Sequence, residues 1–219
     1  MLRVLKGGIV VKNTHPGLFI DFEGLDGSGA PIQASLLSGI LVKEGYRVNL
    51  TKEPTNYLIG GLIRGFLTKE WKTTPECQQL LFAADRAQHL ERDIIPKLES
   101  GRIVITDRYA FSSVAYGSLD TDPDWIEKLN ERFVVPDLVF LIKVRPKICA
   151  MRMKESEYGL ELFHEEQKLI KVWKTYEKLA KKYKNFHIIN GEREETEIIR
   201  EIIDITKHEM GGANKKKHK

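Results

Sequence analysis

The residues best placed to do chemistry form one run, Phe22-Glu23-Gly24-Leu25-Asp26-Gly27-Ser28-Gly29-Ala30-Pro31. A loop of this kind, set between a strand and a helix as G-x-x-x-x-G-K-[ST], wraps nucleotide phosphates in backbone amides. Gly24 and Gly29 stand in register with the two glycines, and Gly27 and Ser28 fill the turn between them. Ala30 and Pro31 occupy the Lys-[ST] positions. The lysine normally puts a cation on the β- and γ-phosphates, and the hydroxyl holds magnesium. Neither Ala30 nor Pro31 can do this, and Pro31 also lacks the amide donor. Two or three charge-assisted contacts, each worth roughly 1.5–3 kcal/mol, are missing. Uncompensated, that predicts a rate loss of roughly a thousandfold or more.

Three further segments carry reactive side chains. They are Thr51-Lys52-Glu53-Pro54, Asp107-Arg108-Tyr109-Ala110-Phe111-Ser112-Ser113-Val114-Ala115-Tyr116, and Leu80-Leu81-Phe82-Ala83-Ala84-Asp85-Arg86-Ala87-Gln88. Singly, each has a structural explanation: a tight strand-to-helix turn for the glycines, an ion pair for Asp107-Arg108, core packing for Phe82, a snorkelling chain for Arg86.

The elements that must position these residues follow an α/β alternation. Apolar, β-rich runs at 18–23, 46–51, 102–106, 138–144 and 186–189 predict a parallel five-stranded sheet with helices on both faces. Helical patterns lie near 32–44, 59–68, 75–99, 123–132, 146–154, 163–183 and 194–209, the third opening on the capping sequence Thr74-Pro75-Glu76 and ending at Ser100-Gly101. In such sheets ligands bind beyond the carboxyl ends of the strands, where the glycine loop, Lys52-Glu53 and Asp107-Arg108 all fall. Ile9-Val10-Val11 predicts a short edge strand. The polar stretch 154–162 suits a lid, with a plain connection as the alternative.

At 219 residues the chain suits a single domain spanning 1–210, followed by a basic, disordered tail at 211–219. The formal charge of +4 is matched by the four lysines of that tail, so the body is nearly neutral; a basic tail can touch RNA or acidic surfaces, but a solvated end and no nucleic-acid partner are expected. No apolar run approaches the ~20 residues a membrane helix needs, so a cytoplasmic protein is expected, with no membrane partner. Cys77 and Cys149 have no metal-ligand spacing and read as buried free thiols.

The joint order of these motifs, together with Pro136-Asp137-Leu138, resembles the thymidylate kinase family of P-loop nucleoside monophosphate kinases over about residues 18–189. The resemblance implies ATP and Mg2+ as phosphoryl donor and cofactor, dTMP as acceptor, dTDP as product, and a homodimer. It implies that Asp26 contacts the acceptor sugar, that Arg108 grips the acceptor phosphate, and that Asp107 holds the metal. Lys52 joins them as a catalytic cation. Glu53, Phe82, Arg86, Ser112, Ser113 and Tyr116 then form the dTMP site, with Phe82 stacking on thymine and Tyr116 walling off a 2′-hydroxyl. Gly24, Gly27, Ser28, Gly29, Ala30, Pro31, Arg152 and Lys154 face the ATP phosphates.

Besides Ala30-Pro31, the chain departs from the family at Lys52, usually arginine, and at Gly117, often a polar residue near the base. Lys12, Lys52, Arg145, Arg152 and Lys154 are the cations able to replace the missing lysine. A second reading is a relative that binds deoxynucleotides or a partner with little turnover, and a third is a kinase with another deoxynucleotide as acceptor.

Overall fold

The computed structural model describes residues 3–5, 8–154 and 166–216. Its centre is strand β3 (Phe19–Gly24), every residue of which is buried. A strand covered on both faces must be apolar throughout, and Phe19, Ile20 and Phe22 obey this. Asp21 and Glu23 do not, and their burial shapes the site described below. Around β3 lie β4 (Val48–Lys52), β5 (Ile103–Asp107), β7 (Leu138–Lys143) and β8 (Phe186–Asn190). The spatial order is β4-β5-β3-β7-β8, parallel in every pair, as the alternating pattern predicts.

Helices cover both faces. The larger core draws on both faces, with Ile20, Phe22, Leu37, Phe140 and Tyr176 fully buried: α1 (Ala30–Lys43) packs with α9 (Glu195–Lys216), while α5 (Ala110–Gly117) and α8 (Glu166–Lys182), the latter packed against α7 (Pro146–Lys154), lie on the side of Glu23. On that same side Phe19, Leu90, Ile94, Leu98, Val104 and Tyr109 form a smaller core. Helices α2 (Leu58–Leu67), α3 (Pro75–His89) and α6 (Pro123–Asn130) flank the carboxyl ends of the strands.

Four details differ from expectation. The helix expected over 75–99 is divided: α3 ends at His89, a π-helical turn spans Leu90–Ile94, and α4 (Ile95–Glu99) completes it. Pro96 has no N–H for the Arg92 carbonyl and its ring crowds that oxygen, so the ladder widens just before it. Helix α5 follows β5 directly, although Tyr109 offers no side-chain cap; its only sequence signal is the apolar spacing of Phe111, Val114 and Ala115. Helix α9 continues through Gly211 and Gly212 to Lys216, where the basic tail was expected to leave the fold. Cys149 is buried, which pushes its thiol up to about 12, whereas Cys77 is only half-buried.

The Ile9–Val11 strand forms, within β2 (Gly8–Lys12), but outside the main sheet. It pairs antiparallel with β1 (Arg3–Leu5) and parallel with β6 (Val134–Val135). The chain then enters β3 under tight constraint. At Gly17 a Cβ would lie 2.3 Å from the Arg102 carbonyl oxygen, so only glycine fits. Asp137 Oδ2 accepts from the Phe19 amide at 2.8 Å and from Asn13 Nδ2 at 2.6 Å, fixing the register of β3 against β7.

Replacing Asp137 leaves the Phe19 amide unpaired and removes one of the two bonds that Asn13 Nδ2 donates. Asp137→Ala is expected to lower the unfolding free energy by about 2–3 kcal/mol in urea titrations. A loss under about 0.5 kcal/mol, typical of an inert surface site, would contradict this role.

Candidate active site

The glycine loop closes onto the start of α1. Gly29 caps the helix with φ 88°, a left-handed conformation suited to glycine, and its carbonyl accepts from the Ile32 and Gln33 amides. Pro31 falls in the first turn, where a proline is tolerated because the early amides have no intrahelical partner. The Lys-[ST] pair can therefore be lost without disturbing the helix. Gly27 has φ 79°, and a Cβ there would lie 2.7 Å from the Cys149 carbonyl oxygen of α7. No side chain fits at Gly27, so a cation for the donor phosphates must come from another element. Arg152, exposed on α7, donates through Nη1 to the Gly27 carbonyl at 3.2 Å and reaches the loop. Arg145 is tied to Glu192 at 2.9 Å, and Lys12 lies in the second sheet. The Lys154 side chain and residues 155–165, including most of the expected lid, lie outside the described residues.

Arg108 follows β5 with φ 68°, an unusual backbone for a residue with a side chain. Its guanidinium donates to Asp26 Oδ1 at 2.5 Å, to Ser112 Oγ at 3.0 Å and to the Gly24 carbonyl at 3.3 Å, and it sits 5.1 Å over the Tyr116 ring. The Asp26 amide in turn donates to the Tyr116 hydroxyl at 2.9 Å. Loop, arginine and α5 are thereby locked together.

The brace behind them is Glu23. Its fully buried carboxylate accepts from the Tyr109 amide (3.2 Å), the Ser112 amide (2.9 Å), Ser112 Oγ (2.5 Å) and the Tyr176 hydroxyl (2.7 Å). Burial raises the Glu23 pKa, against the opposing pull of Arg108 and these hydrogen bonds. Asp21, two residues earlier and on the same face of the strand, is unlike it. No donor reaches either Asp21 oxygen. Burial raises its pKa well above the usual carboxylate range, and the neighbouring Glu23 and Glu53 charges push the same way. Burial and the two neighbouring carboxylates thus all favour the protonated form of Asp21.

Beyond Arg108 opens a cavity of about 290 Å³ lined by Asp26, Lys52, Phe82, Arg86, Arg108 and Tyr116, and by Glu53, Ser112 and Ser113 on the same walls. Phe82 meets Phe66 edge-on at 5.9 Å. Arg86 is almost wholly buried: Nη2 donates to Glu53 Oε2 (2.7 Å) and Ser113 Oγ (3.1 Å), and Nη1 to Asn130 Oδ1 (2.5 Å). Its Nε has no partner. Glu53 also meets His89 Nδ1 at 3.1 Å, which fixes the floor. A second cavity, of about 430 Å³, reaches Pro31 and Ala34 at the start of α1. Lys52 and Asp107, partners in the β4–β5 register, line both cavities. Burial raises the Asp107 pKa, with Arg108 and Lys52 opposing.

The nine cavity residues and Asp107 thus converge on one place, with the loop glycines at its edge. Sequence reasoning missed the support: Asp21, Glu23, Tyr176 and the π-helical turn. An available signal was a pair of acids alternating with phenylalanines in the central strand, since buried charge demands partners.

The sequence has counterparts among known proteins. A family model described as "Thymidylate kinase" matches residues 22–202. The "Probable thymidylate kinase" of Thermococcus gammatolerans is 37% identical over 203 residues, 89% of this chain and 98% of the relative. The "Thymidylate kinase" of Thermosipho melanesiensis is 37% identical over 195 residues, 85% of this chain and 98% of the relative. That of Leptospira interrogans serovar Lai is 35% identical over 198 residues, 89% and 96%.

The chain belongs to the thymidylate kinase family. The family match begins at Phe22 and takes in both the glycine loop and the Arg108 segment.

The Asp21 assignment has a pH signature. A carboxyl with a raised folded pKa contributes its stability fully below the unfolded value, about 3.9, and loses it as pH rises toward the folded value. Asn at this position keeps the shape and cannot titrate. The stability of Asp21→Asn relative to the native chain is therefore expected to increase between pH 5 and pH 8 in urea titrations. A difference that stays flat across that range would mean Asp21 ionises normally.

Proposed function

We propose that this protein transfers the γ-phosphoryl group of ATP to dTMP, giving ADP and dTDP. Family membership and the convergence of Phe82, Arg86, Arg108 and Tyr116 on one cavity support this reading. The single observation that carries it is Arg108, held by Asp26, Ser112 and the Gly24 carbonyl between that cavity and the phosphate loop. A guanidinium fork so placed suits two oxygens of the acceptor phosphate. Those oxygens are already anionic and attack directly, so positioning and charge stabilisation suffice without a protein nucleophile.

The acceptor base enters against Phe82, where stacking contributes roughly 1–3 kcal/mol. The Tyr116 ring supports the sugar and disfavours a 2′-hydroxyl, and Asp26 exchanges its contact with Arg108 for the 3′-hydroxyl. The donor phosphates lie on the amides of Gly24 to Ala30. Lys52 stands beside Asp107 where the two cavities meet, and Arg152 approaches from α7; these two side chains replace the charge that Ala30 lacks.

Among the described residues no group of three or more His, Cys, Asp or Glu could hold a metal alone. Mg2+ needs less, since one carboxylate, waters and nucleotide phosphates complete its shell. Asp107 fits as that carboxylate, being half-buried at the strand end and facing both cavities. When bound, the ion would neutralise charge on the donor phosphates. No described helix is long and apolar enough to cross a membrane, which is compatible with a cytoplasmic enzyme. Leu58 and Leu62 of α2 and Leu80 of α3 are exposed apolar residues on neighbouring helices, which supports a homodimer through that side. An acceptor site with all its expected residues favours turnover over simple binding.

Arg108→Ala is expected to lower kcat/KM for dTMP by roughly thirty- to a thousandfold, the equivalent of about 2–4 kcal/mol, with little change in Tm. Early melting with normal turnover would make the residue structural.

Ala30→Lys combined with Pro31→Thr restores a cation, a hydroxyl and an amide donor. The double variant is expected to lower KM for ATP or raise kcat in steady-state assays. No gain over an already fast native enzyme would show that Lys52 and Arg152 fill the role completely.

A further inference from the structure

The acceptor cavity contains a side chain that none of the assignments above uses. Gln79, on α3 one turn before Phe82, lines the cavity together with Gly117 at the end of α5. It is 7% exposed, and its Oε1 is buried without a hydrogen-bond partner. A buried amide oxygen left unpaired costs roughly 1–3 kcal/mol, so its retention calls for a partner that arrives later.

Gly117 explains how the amide comes to be there. A Cβ at Gly117 would lie 2.7 Å from Gln79 Cδ and 2.8 Å from its Nε2. Ile126 Cδ1 would also lie at 2.7 Å, so a side chain at 117 would force the Gln79 amide and Ile126 to shift. The polar group absent from α5 is thus supplied across the cavity by α3.

We propose that Gln79 is a specificity-determining residue that reads the Watson–Crick edge of the acceptor pyrimidine, its amide pairing with the ring imide. This rests on the dTMP reading of the cavity. A thymine imide offers an N–H donor flanked by carbonyl acceptors, and a carboxamide matches one of each, with Oε1 accepting from N3–H and Nε2 donating to O4. The spacing suits it: Gln79 and Phe82 are three residues apart on one helical face, so one side chain meets the edge of the base whose ring stacks on the other. Arg86, one turn further on, commits three of its five N–H donors to Glu53, Ser113 and Asn130, so Gln79 is the side chain of this helical face whose amide is wholly uncommitted. Sites built to hydrogen-bond a substrate reject analogues that leave their polar groups unpaired.

The test is calorimetric titration of the native protein, Gln79→Leu and Gly117→Ala with dTMP and with 2-deoxyribose 5-phosphate, which lacks a base. For the native protein dTMP should bind far more tightly than the sugar phosphate. Gln79→Leu fills the same volume without the amide and should weaken dTMP binding about tenfold or more while leaving the sugar phosphate unchanged. Gly117→Ala, which keeps the amide but displaces it, should lose dTMP affinity in the same direction. A native protein that prefers dTMP, with Gln79→Leu binding it equally well at unchanged Tm, overturns the role of Gln79 and leaves the cavity reading intact. A native protein that does not distinguish dTMP from the sugar phosphate overturns the cavity reading and this inference with it.

Discussion

The site depends on a carboxylate that no solvent reaches. Glu23, near the carboxyl end of the central strand, must satisfy its oxygens internally, and four donors from the start of α5 and from α8 do so. Those bonds hold Ser112 where it receives Arg108, and Arg108 where it touches the loop. The interaction is costly to assemble in a dry core and costly to break, because losing one donor leaves charge uncompensated. Burial beside Glu23 raises the pKa of its neighbour Asp21, which disfavours a second charge in the same place. One strand thereby sets the geometry of the acceptor arginine, the loop and the first turn of α5 together.

The phosphate loop follows a different logic. Its shape depends on glycines with positive φ and on helix capping, neither of which needs the lysine or hydroxyl that the loop lacks. Shape and charge are separable here: Pro31 is compatible with a helix start while removing a donor. The packing of Gly27 on the Cys149 backbone also excludes a side chain at that point of the loop. Lys52 at the neighbouring strand end and Arg152 on α7 are described cations near the loop, and the proposed function assigns the donor charge to them.

How much of this the sequence disclosed varies with the range of the interaction. The five strands and their parallel order follow from apolar runs alternating with helical ones, a local signal. The cavity residues were legible because they cluster at strand ends and along one face of α3. The division of the 75–99 helix hinged on Pro96, a visible breaker whose effect depends on packing. Helix α5 was hidden because it has no side-chain cap and follows closely on Arg108, whose φ is 68°. Glu23 and Gln79 were invisible for another reason: what matters is which residues from α5, α6 and α8 meet them, and spacing along the chain does not encode that.

The most direct measurement is steady-state phosphorylation by the native protein with ATP and Mg2+, each deoxynucleoside monophosphate being offered in turn. The account predicts brisk formation of dTDP, with kcat in the ordinary range of about 1–100 s⁻¹ for kinases and dTMP the preferred acceptor. Tight dTMP binding without appreciable dTDP would contradict it, because the cations beside the loop would then have failed to replace the missing lysine.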